Sequence, residues 1–127
     1  MLTGGLPPND ARVIGLLQSA AALLLPSLSE TFGLVILEAW AAGAAVLSAR
    51  ASGPQALIQD SHNGWLFDLD QPRSFHVALG RTLNEPILAK EMARRGACVS
   101  ELYSLAALAA KLKKLYEELI EEKKCAT

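Results

Sequence analysis

The sequence predicts an α/β fold built on a parallel sheet, and three observations carry that prediction. Short apolar runs such as Leu23-Leu24-Leu25 and Ala45-Val46-Leu47 alternate with longer stretches of helical periodicity, the order expected of βαβ units. Those runs lack any polar alternation, as strands do when helices cover both faces of a sheet. Turn residues (Gly4-Gly5, Gly43, Ser52-Gly53-Pro54, Asn63-Gly64, Glu85-Pro86) punctuate the joins.

Taken in order, Leu2-Thr3 reads as the tail of a strand, followed by a helix over 9–19 and a strand over 22–25 that turns at Pro26-Ser27. A helix is expected over 32–42, stopped by Gly43. A strand over 45–48, a short helix over 54–59 and a strand over 65–67 come next. Helices over 72–84, 87–100 and 105–124 close the chain, the last with Ser104 as its N-cap. That final helix carries Leu105, Leu108, Leu112, Leu115 and Leu119 in three-four spacing, flanked by lysines and glutamates. About two heptads are too few for a coiled coil, so the stripe is expected to pack on the domain itself.

With 127 residues, 51% of them hydrophobic and 20% charged, the chain suits one packed domain over its whole length. A net charge of -1 argues against nucleic acid or an anionic membrane as partner. The apolar stretch 20–28 is too short to span a bilayer and is broken by Pro26, and the start has no charged leader. No stable membrane insertion and a cytoplasmic location are the expectations. Cys98 and Cys125 have no Cys or His at ligand spacing, and His62 and His76 stand apart from any nucleophile. No metal site is expected.

The densest chemistry lies around Glu30 and Glu38. Glu30 stands at a strand-to-helix turn and Glu38 about a turn and a half into the helix. Both belong to the edge where open parallel sheets bind ligands. The backbone N–H groups of Phe32, Gly33 and Leu34 are expected at the helix N-terminus, which favours a phosphate or sugar oxygen.

Residues 26–43 (PSLSETFGLVILEAWAAG) resemble the E-x7-E donor motif of group 1 retaining glycosyltransferases, the family-4-like enzymes of GT-B architecture. The resemblance extends to Leu2-Thr3-Gly4, Ala45-Val46-Leu47-Ser48, Ser52-Gly53-Pro54 and Gly64-Trp65-Leu66-Phe67. It implies the C-terminal, nucleotide-sugar-binding domain of such an enzyme: a partial Rossmann-like sheet of about three to four parallel strands where the family has about six. The chain is expected to begin where the third strand of that domain ends, without the acceptor domain. By the resemblance Glu30 is the catalytic-site acid that hydrogen-bonds the donor sugar, and Glu38 binds the ribose. Phe32, Gly33 and Leu34 bind through their backbone, and Ser52-Gly53 runs under the diphosphate. The donor is a nucleoside diphosphate sugar, and no separate cofactor is implied.

The departures are Ala45 for the family's Pro, Ala56 for its Glu, and Arg50 near an expected acid or amide. The Arg/Lys pair that grips the diphosphate has no counterpart here, so Arg50 is a candidate replacement, with a solvated loop Arg as the alternative. Two function classes follow: a retaining sugar transferase of which this chain is the donor half, or a non-catalytic, self-associating module that kept the fold. In either case two copies are expected to associate, through the strand 22–25 or through the leucine stripe.

Overall fold

The computed structural model of the protein describes residues 5–7 and 10–126. The expected strand tail at Leu2-Thr3 and the start of the first helix at Asn9 lie outside them. Nine elements follow in order among the described residues: α1 (Ala11–Ser19), β1 (Ala22–Leu25), α2 (Leu34–Ala41), β2 (Ala45–Ala49), α3 (Ser52–Leu57), β3 (Trp65–Phe67), α4 (Pro72–Asn84), α5 (Pro86–Glu101) and α6 (Leu105–Cys125). The three strands form one parallel sheet in the order β1-β2-β3. Ala22 pairs with Ala45, and Leu47 with Trp65.

Every residue of β2 is buried, which explains its unalternating sequence. Val46 points into one core layer with Ile36, Ala39, Trp40, Leu57, Ile58 and Leu66. Leu47 and Ala49 point into the other, with Trp65, Phe67, Ala78 and Met92. Helices on both faces therefore remove the polar positions that a half-exposed strand would keep. β1 is hydrogen-bonded on one side only among the described residues, and Leu24 on it is 45% exposed.

Helix α2 ends as its sequence predicts. Gly43 has φ +86°, its N–H donates to Trp40 O, and Ala44 N–H donates to Ala39 O. This pair of bonds is the Schellman arrangement that a left-handed residue permits. The helix starts later than expected, at Leu34 rather than Phe32, because Gly33 is its N-cap at φ +92°. That backbone angle cannot continue a right-handed helix. Helix α3 begins at Ser52, two residues before the expected start, since Ser52 and Gly53 already have helical geometry.

α5 packs on α2 through Gly96, whose Cα lies so close to the fully buried Trp40 indole that a Cβ would come within 2.3 Å of Nε1. The expectation that the leucine stripe of α6 packs on the domain is not met. α6 contains no buried residue, and Leu108, Leu112, Leu115 and Leu119 are each about half exposed. Capped by Ser104 Oγ on the Ala107 N–H, the helix runs clear of both core layers. No helix among the described residues is long and apolar enough to cross a membrane.

Candidate functional site

The carboxyl ends of the three strands lead into loops that meet on one edge of the sheet. After β1, residues 26–33 form an irregular loop that contains Glu30, held by three kinds of contact. Gly53 N–H donates to Glu30 O at 2.9 Å, with Ser52 Oγ at 3.4 Å from the same oxygen. Gly53 sits so close that a Cβ there would lie 2.6 Å from Glu30 O and from Phe32 N. Only a residue without a side chain allows that approach of two backbones. At the helix end, Gly33 turns the chain, and its oxygen accepts from Ile36 N–H at 2.9 Å.

These contacts place the residues marked in the sequence. Glu30 is half-buried, and its carboxylate makes no hydrogen bond or ion pair among the described residues. It is an acceptor-only group left open for hydroxyl donors. Phe32 directs its ring toward the core and its nitrogen against Gly53. Gly33 is buried, Leu34 exposed, and no side chain caps this end of α2. Apart from Ile36, whose N–H donates to Gly33 O, the first-turn amides of Leu34 and Val35 thus keep the unsatisfied donors of a free helix N-terminus.

Glu38 opens on a separate feature, a cleft of about 420 Å³ between α1 and α2 lined by Leu6, Pro7, Asp10, Val13, Ile14 and Leu17 among others. Glu30 is not part of that lining. The two acids therefore stand in different surroundings: a tight loop for one, an apolar-walled cleft for the other. Asp10, the N-cap of α1, accepts from Arg12 N–H and pairs with its guanidinium at 2.8 Å. The hydrogen bonds from Arg12 hold the Asp10 carboxyl below its usual range.

Arg50 does not stand free for a phosphate. Its Nε lies 3.2 Å from Asp68 Oδ1 and its Nη2 3.4 Å from Asp60 Oδ2. Asp60 also accepts from Leu66 N–H, so the arginine ties the ends of β2 and β3 together. A small cavity beside it, about 260 Å³, is lined by Ser27, Leu28, Arg50, Asp68, Leu69 and Asp70, with two carboxylates against one cation. Among the described residues no group of three His, Cys, Asp or Glu is placed to hold a metal ion. Sequence reasoning missed Tyr103, whose ring meets Phe32 edge-to-face with centroids 5.4 Å apart. No local pattern signals a contact across 71 positions.

The family model for glycosyl transferases group 1 matches residues 2–99 of this chain. Two similar relatives are the D-inositol 3-phosphate glycosyltransferases of Corynebacterium urealyticum (34% identical over 89% of this chain and 26% of its own length) and Acidothermus cellulolyticus (37%, 70% and 19%). The chain thus spans about a quarter of the length of the curated relatives it matches. Among solved structures, sucrose-phosphate synthase from Thermosynechococcus elongatus superposes with a TM-score of 0.76 at 27% identity, over 89% of this chain and 29% of that one. Anabaena HepE in complex with UDP-glucose superposes at 0.75 with 19% identity, over 86% and 30%, a likeness of fold. With the family model covering most of its length and the parallel sheet of GT-B glycosyltransferases as its frame, this chain belongs to the group 1 glycosyltransferases.

Proposed function

We propose that this chain supplies the donor-binding part of an enzyme that moves a sugar from a nucleoside diphosphate to an acceptor hydroxyl with retention of configuration. The observation that carries the reading is the loop 30–33, locked by Gly53 so that an unpartnered Glu30 carboxylate stands beside an uncapped helix start. In this assignment the N–H groups of Gly33 and Leu34 meet the diphosphate, whose charge the helix end favours. Glu30 accepts hydrogen bonds from hydroxyls of the donor sugar and orients the reacting carbon. Glu38 accepts from the ribose hydroxyls at the mouth of the α1–α2 cleft, whose apolar wall suits the flat face of a base. The departing diphosphate is stabilised electrostatically rather than by proton transfer.

The test is a titration of the isotopically labelled chain with UDP and with UDP-glucose, followed residue by residue by NMR. UDP is expected to shift the amides of Gly33, Leu34 and the Glu38 cleft, and UDP-glucose to shift Glu30 and Thr31 in addition. Glu38→Gln should weaken both ligands, whereas Glu30→Gln should remove only the advantage of the sugar. Shifts confined to the cavity beside Arg50 would refute the assignment.

A second reading, from a different class, is favoured by α6: a module that associates with a second copy. Its half-exposed leucines, with Tyr116 58% and Ile120 54% exposed, offer an apolar strip along the helix that a second copy would cover. In an antiparallel register Leu112 meets Leu115 of the second copy, and Lys111 lies next to its Glu118, opposite charges flanking the seam. The rival interface is the side of β1 that pairs with no strand among the described residues. Light scattering at tens of micromolar decides: a dimer lost in Leu112→Lys supports α6, one lost only in Leu24→Lys supports β1, and a monomer refutes both.

A further inference from the structure

We propose that Tyr103 is a positioning residue for the donor loop, holding Phe32 so that the Gly33 and Leu34 amides face the diphosphate; this rests on the donor-binding reading above. The loop 30–33 is clamped on one side only by α3, through Gly53 and Ser52 on the Glu30 oxygen. On the Phe32 side the Tyr103 ring meets the Phe32 ring at 65° with centroids 5.4 Å apart, an attractive edge-to-face geometry. Phe32 is in turn packed against the core layer that holds Ile36 and Trp40. The ring is therefore caught between the core and Tyr103, and it fixes the peptide that leads into the left-handed Gly33.

Tyr103 itself is firmly mounted. It sits in the tight turn between α5 and α6, where Tyr103 N–H donates to Ser100 O and Ser104 N–H to Glu101 O. α5 is anchored to α2 by the Gly96–Trp40 contact. Both partners of the ring pair thus hang on α2: Phe32 directly ahead of it, Tyr103 through α5. The hydroxyl of Tyr103 has no hydrogen-bond partner among the described residues, so the ring and not the O–H makes the contact. Tyr103 is a third exposed, and removing its side chain leaves both core layers intact. Its loss should accordingly loosen the loop without unfolding the domain.

The experiment compares the chain with Tyr103→Phe, Tyr103→Leu, Tyr103→Ala and, as a control, Leu102→Ala at a neighbouring exposed position. Each is labelled with ¹⁵N and titrated with UDP. Tyr103→Ala and Tyr103→Leu are expected to weaken UDP about two- to tenfold, the span of a ring pair's coupling at a tenfold change per 1.4 kcal/mol. They should also move the Phe32, Gly33 and Leu34 amides before any UDP is added, while β2 and α5 signals stay in place. Tyr103→Phe and Leu102→Ala should do neither. Equal loss in Tyr103→Phe and Tyr103→Ala would overturn the proposal, because it would put the hydroxyl on the ligand. Unmoved Phe32–Leu34 amides in Tyr103→Ala would overturn it as well. If UDP shifts no amide near Glu38 or Gly33 in the unmodified chain, the donor-binding reading fails, and the ligand-free spectra still judge the ring pair.

Discussion

Gly53→Ala tests the site and the fold together, because the added carbon meets backbone rather than a movable side chain. A Cβ at this position would lie 2.6 Å from Glu30 O, 2.6 Å from Phe32 N and 2.7 Å from Thr31 C. Carbon–oxygen contacts that short do not persist, so either α3 or the loop 30–32 must retreat. Overpacking of this kind costs about 1–3 kcal/mol, and retreat lengthens the Gly53 N–H to Glu30 O bond, losing about 0.5–1.5 kcal/mol more. Alanine's better helix propensity at the start of α3 returns about 0.5–1 kcal/mol. The net loss is about 2–3 kcal/mol, a fall in Tm of about 8–12 °C for a domain of this size. Gly80→Ala is the matched control: its Cβ meets nothing within 4 Å inside α4, so it should raise stability by about 0.5–1 kcal/mol. Thermal and urea unfolding of both variants read these shifts. A Gly53→Ala midpoint within a degree or two of the unmodified chain would refute the claim that α3 and the donor loop are locked backbone to backbone.

Three further outcomes are expected. Affinity for UDP, GDP or ADP should be about millimolar, or about −4 kcal/mol, since Arg50 is engaged by Asp60 and Asp68 and the Glu38 cleft is lined by no Lys or Arg; calorimetry returning a low-micromolar constant would contradict it, and sugar transfer by these 127 residues alone should be undetectable. Gly96→Ala should cost about 3 kcal/mol or more, because its Cβ would lie 2.3–2.4 Å from the buried Trp40 ring; a fall in Tm under about 4 °C would show that the indole can move. Hydrogen bonds and charge from Arg94, then charge and a hydrogen bond from Arg95, hold Glu91 at about 2 against an ordinary 4.5. A lowered carboxyl contributes stability that is complete above pH 4.5 and disappears as pH falls toward 2, so Glu91→Gln should flatten the acid limb of the stability curve in that window and leave pH 7 to 8 parallel to the unmodified chain.

Much of this molecule is legible in its sequence where the signal is local. Ala45-Val46-Leu47 marks its strand because burial on both faces leaves no exposed position for a polar residue, Leu23-Leu24-Leu25 marks its strand as an apolar run although Leu24 stays 45% exposed, and Gly43 marks a helix end because the Schellman turn needs a left-handed residue. The start of α2 is misread by two residues for a related reason: Phe32 suits a helix by pattern, but Gly33 takes φ +92° and moves the boundary behind it. What local pattern cannot supply is distance. Arg50 looks like a free cation until β3 brings Asp68 beside it, 18 positions away. The Ser52-Gly53 turn reads as a ligand loop, whereas its glycine meets the backbone of the preceding loop. The α6 stripe has the right period for packing, and nothing in a period says whether a partner surface is within reach.

The two acids are consequently held by different means, and this gives their roles separate handles. Glu38 rides on a helix seated by Trp40 against Gly96, so its position follows the α2–α5 contact. Glu30 rides on a loop with no regular structure, fixed by Gly53 beneath and by the Phe32–Tyr103 ring pair at its side. Disturbing Gly96 should therefore weaken UDP and UDP-glucose by the same factor, because it displaces the acid assigned to the ribose that both ligands share. Disturbing the loop at Thr31, whose side chain is exposed, moves the adjoining Gly33 and Leu34 amides as well, so it should weaken UDP to about the extent of the Tyr103 variants and in addition erase the preference for UDP-glucose. A Thr31→Pro variant fixes φ there and serves as that perturbation. If the ratio of the two affinities moves equally in Gly96→Ala and Thr31→Pro, the acids act as one unit, and dividing the donor into a ribose end at Glu38 and a sugar end at Glu30 is wrong.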